Sequence, residues 1–325
     1  MRLLDLFIQI LKEKGIRGIG VNFETDLEEI ALKVANGEFF LSECKDYRSI
    51  VPVECEVADV CLSKKREVDE KIAVSKEDVV SRDNFPYIAI DCRFYEMHSE
   101  KEKRSLKKQI EQTLGSIRRF LWDDKLIIAG KNFGIGKYYE RLEDFLIEKG
   151  IKEVVLLDPY AEEVFKGEKA RCYVVGGIVD KGEEKVLTPL IGKALRDSNF
   201  EVLSRKIELR GDKIGVPDRI NQIVEILLRV VCDGEDVERA VRIVQPRVVA
   251  RWRLRKELSK VSFRVLVGDK VFRAVKRSDL KIFDWLNVNE EDFYYVAREL
   301  RFFVVSDEFF KLLKWNDERR SYSIN

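Results

Sequence analysis

The chain has 325 residues, of which 45% are hydrophobic and 37% charged, with 60 Lys and Arg against 59 Asp and Glu. That length exceeds one ordinary domain and that apolar share is enough for real cores, so wholesale disorder is excluded and two or three domains are expected. No apolar run reaches the length of a membrane span. Six scattered cysteines and a single histidine, His98, cannot supply a zinc ligand set or a triad of nucleophile, imidazole and acid.

The near-neutral total hides an asymmetry. Residues 1–85 carry 13 basic against 18 acidic side chains, residues 86–245 carry 29 of each, and residues 246–325 carry 18 against 12. A basic tail section of this kind points to a polyanion partner. The cysteines read as reduced core residues of an intracellular, cytoplasmic protein.

In chain order, residues 3–14 form an amphipathic first helix rather than a signal peptide, because Asp5 and Gln9 interrupt the apolar run and no small-residue cleavage site follows. A second helix over 27–35 and strands over 39–42 and 57–62 complete a small α+β unit, residues 1–84, ending in the polar stretch 63–83. From Pro86 the pattern alternates: strands over 87–92, 126–129, 154–158, 172–179 and 203–209, with helices between, predict a mostly parallel sheet. The first of those helices opens on a capping box, Ser99 and Glu102. It buries a stripe of Leu106, Ile110, Leu114, Ile117 and Leu121. Lys101, Arg104 and Lys108 share an exposed face, and Arg118 and Arg119 close the helix; this face is either solvated or a phosphate contact surface.

Gly130-Lys131-Asn132-Phe133-Gly134-Ile135-Gly136-Lys137 invites a phosphate-loop reading. It is one residue too long, and Tyr138 stands where a magnesium-binding hydroxyl belongs. Tyr173-Val174-Val175-Gly176-Gly177-Ile178-Val179-Asp180-Lys181 reads as a buried strand ending in a glycine pair, where something approaches the main chain closely, followed by a carboxylate. Asp91 ends the strand over 87–92, and Asp218 lies in Gly215-Val216-Pro217-Asp218-Arg219. In a parallel sheet Asp91 and Asp180 emerge on the same edge, where α/β enzymes bind ligands. Helix capping or ordinary loop polarity is the structural alternative for these acids. The last section, 247–325, opens on a basic run containing Arg247, Arg251, Arg253 and Arg255. A hairpin over 264–272 follows, turning at Gly268-Asp269, then helices over 280–286, 290–301 and 307–315. Trp252, Phe263, Phe272, Phe283 and Trp285 interleave with the charges, which favours nucleic acid over a merely solvated face.

These residues resemble the tRNA N1-methyltransferases that modify the purine at the ninth nucleotide, members of the SPOUT (trefoil-knot) superfamily. The matching segments are Ile90-Asp91-Cys92-Arg93-Phe94 with Met97-His98-Ser99 through Leu106, then 175–181, then 215–223. The basic tail section resembles the extension of archaeal members. The resemblance implies an α/β methyltransferase domain with a trefoil knot over 85–246, between the α+β unit and a basic, mainly helical RNA-binding domain over 247–325. It implies S-adenosylmethionine as cofactor, contacted by Leu157, Gly176, Gly177, Thr188, Gly215, Val216, Pro217 and Asp218. Asp180, with Asp91 and Asp218 beside it, is the implied catalytic set. The tRNA contacts fall on Lys101, Arg104, Lys108, Arg118, Arg119, Arg247, Arg251, Arg253 and Arg255. No metal and no membrane is implied, and a monomer is expected. A non-catalytic RNA-binding protein and a phosphate-loop hydrolase are the alternatives.

Overall fold

A computed structural model describes residues 1–44, 46–64, 71–179 and 187–323. The chain divides into two compact units, Met1–Lys206 with Arg219–Gly234, and Ile207–Asp218 with Glu235–Asn325.

The first unit begins with α1 (Leu3–Glu13), β1 (Gly18–Val21), α2 (Leu27–Ala35), β2 (Phe40–Glu43), β3 (Ser49–Pro52), β4 (Val60–Ser63), β5 (Ile72–Val74) and α3 (Lys76–Val80). The five strands form one sheet in the order β3-β1-β4-β2-β5. α1 buries Leu3, Leu6, Phe7, Ile10 and Leu11, the three-and-four spacing of an amphipathic helix. The expectation of free cysteines fails at one pair: Cys44 and Cys61 form a disulfide, because the adjacent strands β2 and β4 bring their Cα atoms to 4.6 Å. Cys92, Cys172 and Cys232 are buried thiols whose ionisation burial pushes up, Cys232 to about 12.

The same unit continues with β6 (Tyr87–Asp91), α4 (Glu100–Arg118), β7 (Leu126–Ala129), β8 (Lys137–Tyr139), α5 (Leu142–Glu148), β9 (Glu153–Leu157), β10 (Cys172–Gly176), α6 (Thr188–Asp197), β11 (Glu201–Arg205) and α7 (Ile220–Asp233). Its sheet runs β11-β9-β10-β6-β7-β8, and every pairing is parallel. Ala89, Ile127, Leu156 and Val174 pack on Phe145, Leu146, Ile191 and Leu195 of α5 and α6. The intervening Ile88, Ile90, Ile128, Val155 and Val175 point to the other face and are buried there too. Burial on both faces is why these strands read as unbroken apolar runs. α4 and α7 pack together. At their contact Gln109 Oε1 accepts from the Ile220 N–H at 2.9 Å, partnering the otherwise orphaned first donor of α7. The α4 stripe departs from expectation at Leu114, which is half-buried. Thr113 is the buried residue, its hydroxyl donating to the Gln109 carbonyl at 2.8 Å.

The second unit holds α8 (Val237–Val244), α9 (Arg247–Val261), β12 (Phe263–Val267), β13 (Lys270–Lys276), α10 (Glu290–Glu299), β14 (Phe302–Val305), α11 (Asp307–Leu312), β15 (Lys314–Asn316) and β16 (Ser321–Ser323). The expected hairpin is β12–β13, but it belongs to a five-stranded sheet, β14-β13-β12-β16-β15. β14, β15 and β16 were hidden by their shortness. β14 follows α10 with little between them except Arg301 at φ 57°, so the two periodicities merge in sequence.

α9 and α10 are joined by one buried carboxylate. Asp292 Oδ2 accepts from Arg247 Nε at 2.9 Å and from the Asn289 N–H at 3.1 Å, and its Oδ1 accepts from Arg251 Nε at 2.6 Å. Burial alone pushes this carboxyl up; the Asn289 N–H and the two guanidiniums reverse that and hold it below its ordinary value of 3.8. A depressed carboxylate contributes stability that is full above its unfolded pKa near 4 and is lost as pH falls through the lower folded value. Asp292→Ala is therefore expected to cost about 3 kcal/mol at pH 7. The gap to wild type should close progressively below about pH 4, as read by denaturant unfolding at each pH.

Candidate active site

The carboxyl edge of the parallel sheet is aligned by register. Asp91 of β6 pairs with Gly176 of β10 on one side and Ala129 of β7 on the other, and Val175 pairs with Leu157 of β9. The Gly177 N–H donates to the Asp91 carbonyl at 2.8 Å. A Cβ on Gly177 would stand 2.4 Å from Cys92 Sγ and 3.1 Å from Asp91 O, so the second glycine is required by the protein's own packing, above all by the buried Cys92 side chain. At Gly176 the neighbours are side chains: a Cβ would lie 3.0 Å from Ile178 Cδ1 and 3.4 Å from Thr188 Oγ1. The structure thus gathers Leu157, Gly176, Gly177, Thr188 and Asp91 at one edge. Among the described residues the carbonyls of Gly177 and Ile178 accept no hydrogen bond. An open main-chain acceptor can take a hydrogen bond from the amino or hydroxyl groups of a ligand, so these residues fit a nucleoside-bearing cofactor.

Asp91 is fully engaged. It is buried, and Oδ1 accepts from the Arg93 N–H at 3.0 Å while Nη2 and Nε of Arg93 reach Oδ2 at 2.6 and 3.0 Å. Glu143 holds the other side of that guanidinium, 3.2 Å from Nη2. Burial lowers the Arg93 pKa, and the two carboxylates overcome it and raise it, so the guanidinium keeps its charge. A cavity of about 350 Å3 opens beside Asp91 and Arg93, walled by Gly130, Leu142, Glu143 and Ala194. His98 secures the loop after the glycine pair. Its Nε2 accepts from the Val179 N–H at 3.1 Å and its Nδ1 lies 3.2 Å from the Tyr95 carbonyl. Nε2 as acceptor makes this imidazole neutral with the proton on Nδ1. Sequence reading passed over both Arg93 and His98 as site residues, although both lie inside the matching motif. The signal was Arg93's position two residues after a strand-terminal Asp. Asp180 lies outside the described residues.

The segment Gly215-Val216-Pro217-Asp218 falls in the second unit, with Gly215 and Pro217 buried and Asp218 exposed. Gly215 has φ 98°, a left-handed conformation suited to glycine, and its carbonyl accepts from Gln245 Nε2 at 2.6 Å. Arg253 anchors the same loop. Its Nη1 reaches the Ile214 carbonyl at 3.3 Å and Asp212 Oδ2 at 3.0 Å. At 3% exposure Arg253 is a structural residue, and its guanidinium is out of reach of an RNA phosphate, contrary to expectation. The other basic residues separate into two groups. Exposed Arg118 and Arg119 and half-buried Arg255 are paired with Asp123, Glu225 and Glu299, and Arg247 and Arg251 are paired with Asp292. Lys101, Arg104 and Lys108 are exposed, and among the described residues no ion pair engages them. The phosphate-loop alternative loses its geometry. The loop after β7 leads into strand β8 rather than a helix, and Cβ atoms on Gly130 and Gly136 would strike backbone at 2.8 and 2.6 Å.

The first unit holds a wholly parallel sheet with a glycine pair at its carboxyl edge, and its likeness to the Trm10 proteins that follow places it among the SPOUT-class methyltransferase folds. Residues 55–248 match the family described as tRNA (guanine(9)-N(1))-methyltransferase TRM10/TRM10A. Residues 251–319 match the family described as tRNA (guanine(9)-/adenine(9)-N1)-methyltransferase C domain. A Thermococcus kodakarensis protein named tRNA (guanine(9)-/adenine(9)-N1)-methyltransferase is 35% identical over 331 residues, covering 92% of this chain and 88% of that one. A Sulfolobus acidocaldarius protein named tRNA (adenine(9)-N1)-methyltransferase is 29% identical, covering 76% and 85%. The crystal structure of Sulfolobus acidocaldarius Trm10 in complex with S-adenosylhomocysteine superposes with a TM-score of 0.66 at 25% identity, over 92% of this chain and 99% of that one. The chain belongs to the tRNA (guanine(9)-/adenine(9)-N1)-methyltransferase family. Among the described residues no group of His, Cys, Asp or Glu is arranged to hold a metal ion, and no helix is long and apolar enough to cross a membrane.

The two glycines are expected to differ when substituted. Gly177→Ala, which must displace Cys92 and the β6–β10 edge, should weaken S-adenosylmethionine binding at least about tenfold and cost about 2 kcal/mol of stability. Gly176→Ala meets only side-chain ends and should cost less on both counts. Calorimetric titration and denaturant unfolding of the two variants check the order.

Proposed function

We propose that this chain methylates N1 of the purine at position 9 of tRNA, with S-adenosylmethionine as the methyl donor. The observation that carries this reading is the register that lines Leu157, Gly176 and Asp91 along one sheet edge, with Thr188 against Gly176, in a chain of this family. When bound, the cofactor supplies a methyl group already activated by its sulfonium. Leu157, Gly176, Gly177 and Thr188 are the contacts that would hold it.

The proton decides the chemistry. Guanine N1 carries one at neutral pH and must lose it, whereas adenine N1 already offers a lone pair, so a general base matters far more for guanine. Asp180, three residues beyond the glycine pair, is assigned that role. Asp91 has its oxygens committed to Arg93 and serves to fix that guanidinium rather than to take a proton. The base must leave its stack to reach such a pocket. The body of the tRNA is read through shape and phosphates, for which the exposed face of Lys101, Arg104 and Lys108 on α4, without an ion pair among the described residues, is suited. A cytoplasmic monomer is the expected working form.

The decisive assay incubates the protein with unmodified tRNA transcripts bearing A or G at position 9 and identifies nucleosides by mass spectrometry; no N1-methylpurine from either would overturn the function. Asp180→Asn should lower guanosine methylation by about 100-fold, with adenosine methylation reduced less and cofactor affinity retained. Equal rates for variant and wild type on guanosine would remove Asp180 as the base.

A further inference from the structure

We propose that the sheet of the second unit carries an RNA-phosphate site built on Arg264 and Arg273, with Phe302 beside it as a stacking surface for a base. The proposal rests on the tRNA-methyltransferase reading, which makes RNA the polyanion at hand. The turn Gly268-Asp269 closes the β12–β13 hairpin so that Val267 faces Lys270, Val265 faces Phe272 and Arg264 faces Arg273. Counted from that turn, Arg264 and Arg273 form a non-hydrogen-bonded pair. This is the position at which Cα atoms come within about 4.5 Å and opposed side chains lie nearest. Phe302 of β14 is in register with Arg273, its ring centroid 5.8 Å from the guanidinium carbon. The three side chains therefore form one row across three adjacent strands, on one face of the sheet.

Two like charges directly opposite each other destabilise a hairpin unless something of opposite sign lies over them. Among the described residues nothing does so. Both arginines are exposed, and among the described residues neither makes an ion pair. The contrast with α9 is direct, because Arg247, Arg251, Arg253 and Arg255 are each tied to a carboxylate of their own unit. The basic helix is thus part of the framework of this unit, while the hairpin pair is left uncompensated. Two guanidinium forks side by side match the oxygens of a phosphodiester. An aromatic ring at the end of the row offers a face on which an unpaired base can stack.

The test compares the full chain with Arg264→Gln, Arg273→Gln and the double variant. Each is titrated with a fluorescent unmodified tRNA transcript between about 50 and about 200 mM salt. Loss of two phosphate contacts should reduce the slope of log affinity against log salt by roughly 1.5 to 2 and weaken binding about tenfold at the lower salt. The thermal midpoint of the free double variant should rise, because the repulsion is gone. Phe302→Leu, which keeps apolar bulk in the sheet, should weaken binding severalfold without changing the slope. An unchanged slope and affinity in the double variant overturns the site, as does a lower midpoint with an unchanged slope, which would mark the pair as structural. Wild-type protein that neither binds nor methylates the transcript would instead bring down the tRNA reading itself. Wild type that does both, alongside a double variant that binds equally well, removes only the sheet site.

Discussion

The N–H of Gly177 reaches across to the carbonyl of Asp91 at 2.8 Å, with Cys92 packed where any larger residue would put its first side-chain atom. The arrangement of the carboxyl edge follows from this close approach. It extends the β6–β10 register one residue past the strands, so Asp91 and Gly176 end level and the chain beyond them must leave the sheet together. With Asp91 fixed in place, Arg93 is fixed by three of its nitrogens, and Glu143 is drawn to the opposite side of the guanidinium. His98 then accepts from the Val179 N–H, two residues beyond Gly177. The strand pairing, the loop and the charged residues beside the cavity are set by one approach that only glycine permits.

Charge in the second unit obeys a different logic. A helix with arginines at 247, 251, 253 and 255 has the composition of a nucleic-acid contact, and the structure uses most of that charge internally. Asp292 neutralises two of these arginines from within the folded unit, and buried Arg253 ties down the Ile214 and Arg210 carbonyls. Buried ion pairs of this kind recover their desolvation cost only with good geometry and further hydrogen bonds, which Asn289 and the loop carbonyls provide here. Among the described residues, exposed arginines and lysines without an ion pair lie elsewhere, on α4 and across the β12–β13 hairpin, and these are the surfaces proposed to meet a polyanion.

The division between what could be read and what could not follows particular residues. The parallel sheet was legible because its strands are buried on both faces and so appear as short apolar runs, from Ile88–Ala89–Ile90 to Cys172–Tyr173–Val174–Val175. The capping box at Ser99 and the two-residue turn at Gly268-Asp269 were legible because their chemistry is local. β8, β14, β15 and β16 were not, since three or four residues carry too little periodicity to stand out. The Cys44–Cys61 disulfide depends on which strands become neighbours, and a sequence separation of 17 does not state that.

The same limit applies to the site. Residue types, their order and the spacing of glycines and acids belong to the chain itself, and these were enough to locate the sheet edge, the glycine pair and the family. Which carboxylate is free and which is locked, which arginine faces solvent and which holds a loop, were decided only by folding. Pairing of charges depends on distances between residues far apart in sequence, such as Arg251 with Asp292 or Arg93 with Glu143. Net charge per segment is a sum that linear order preserves, whereas its accessibility is set by three-dimensional neighbours, and only the tertiary structure supplies those.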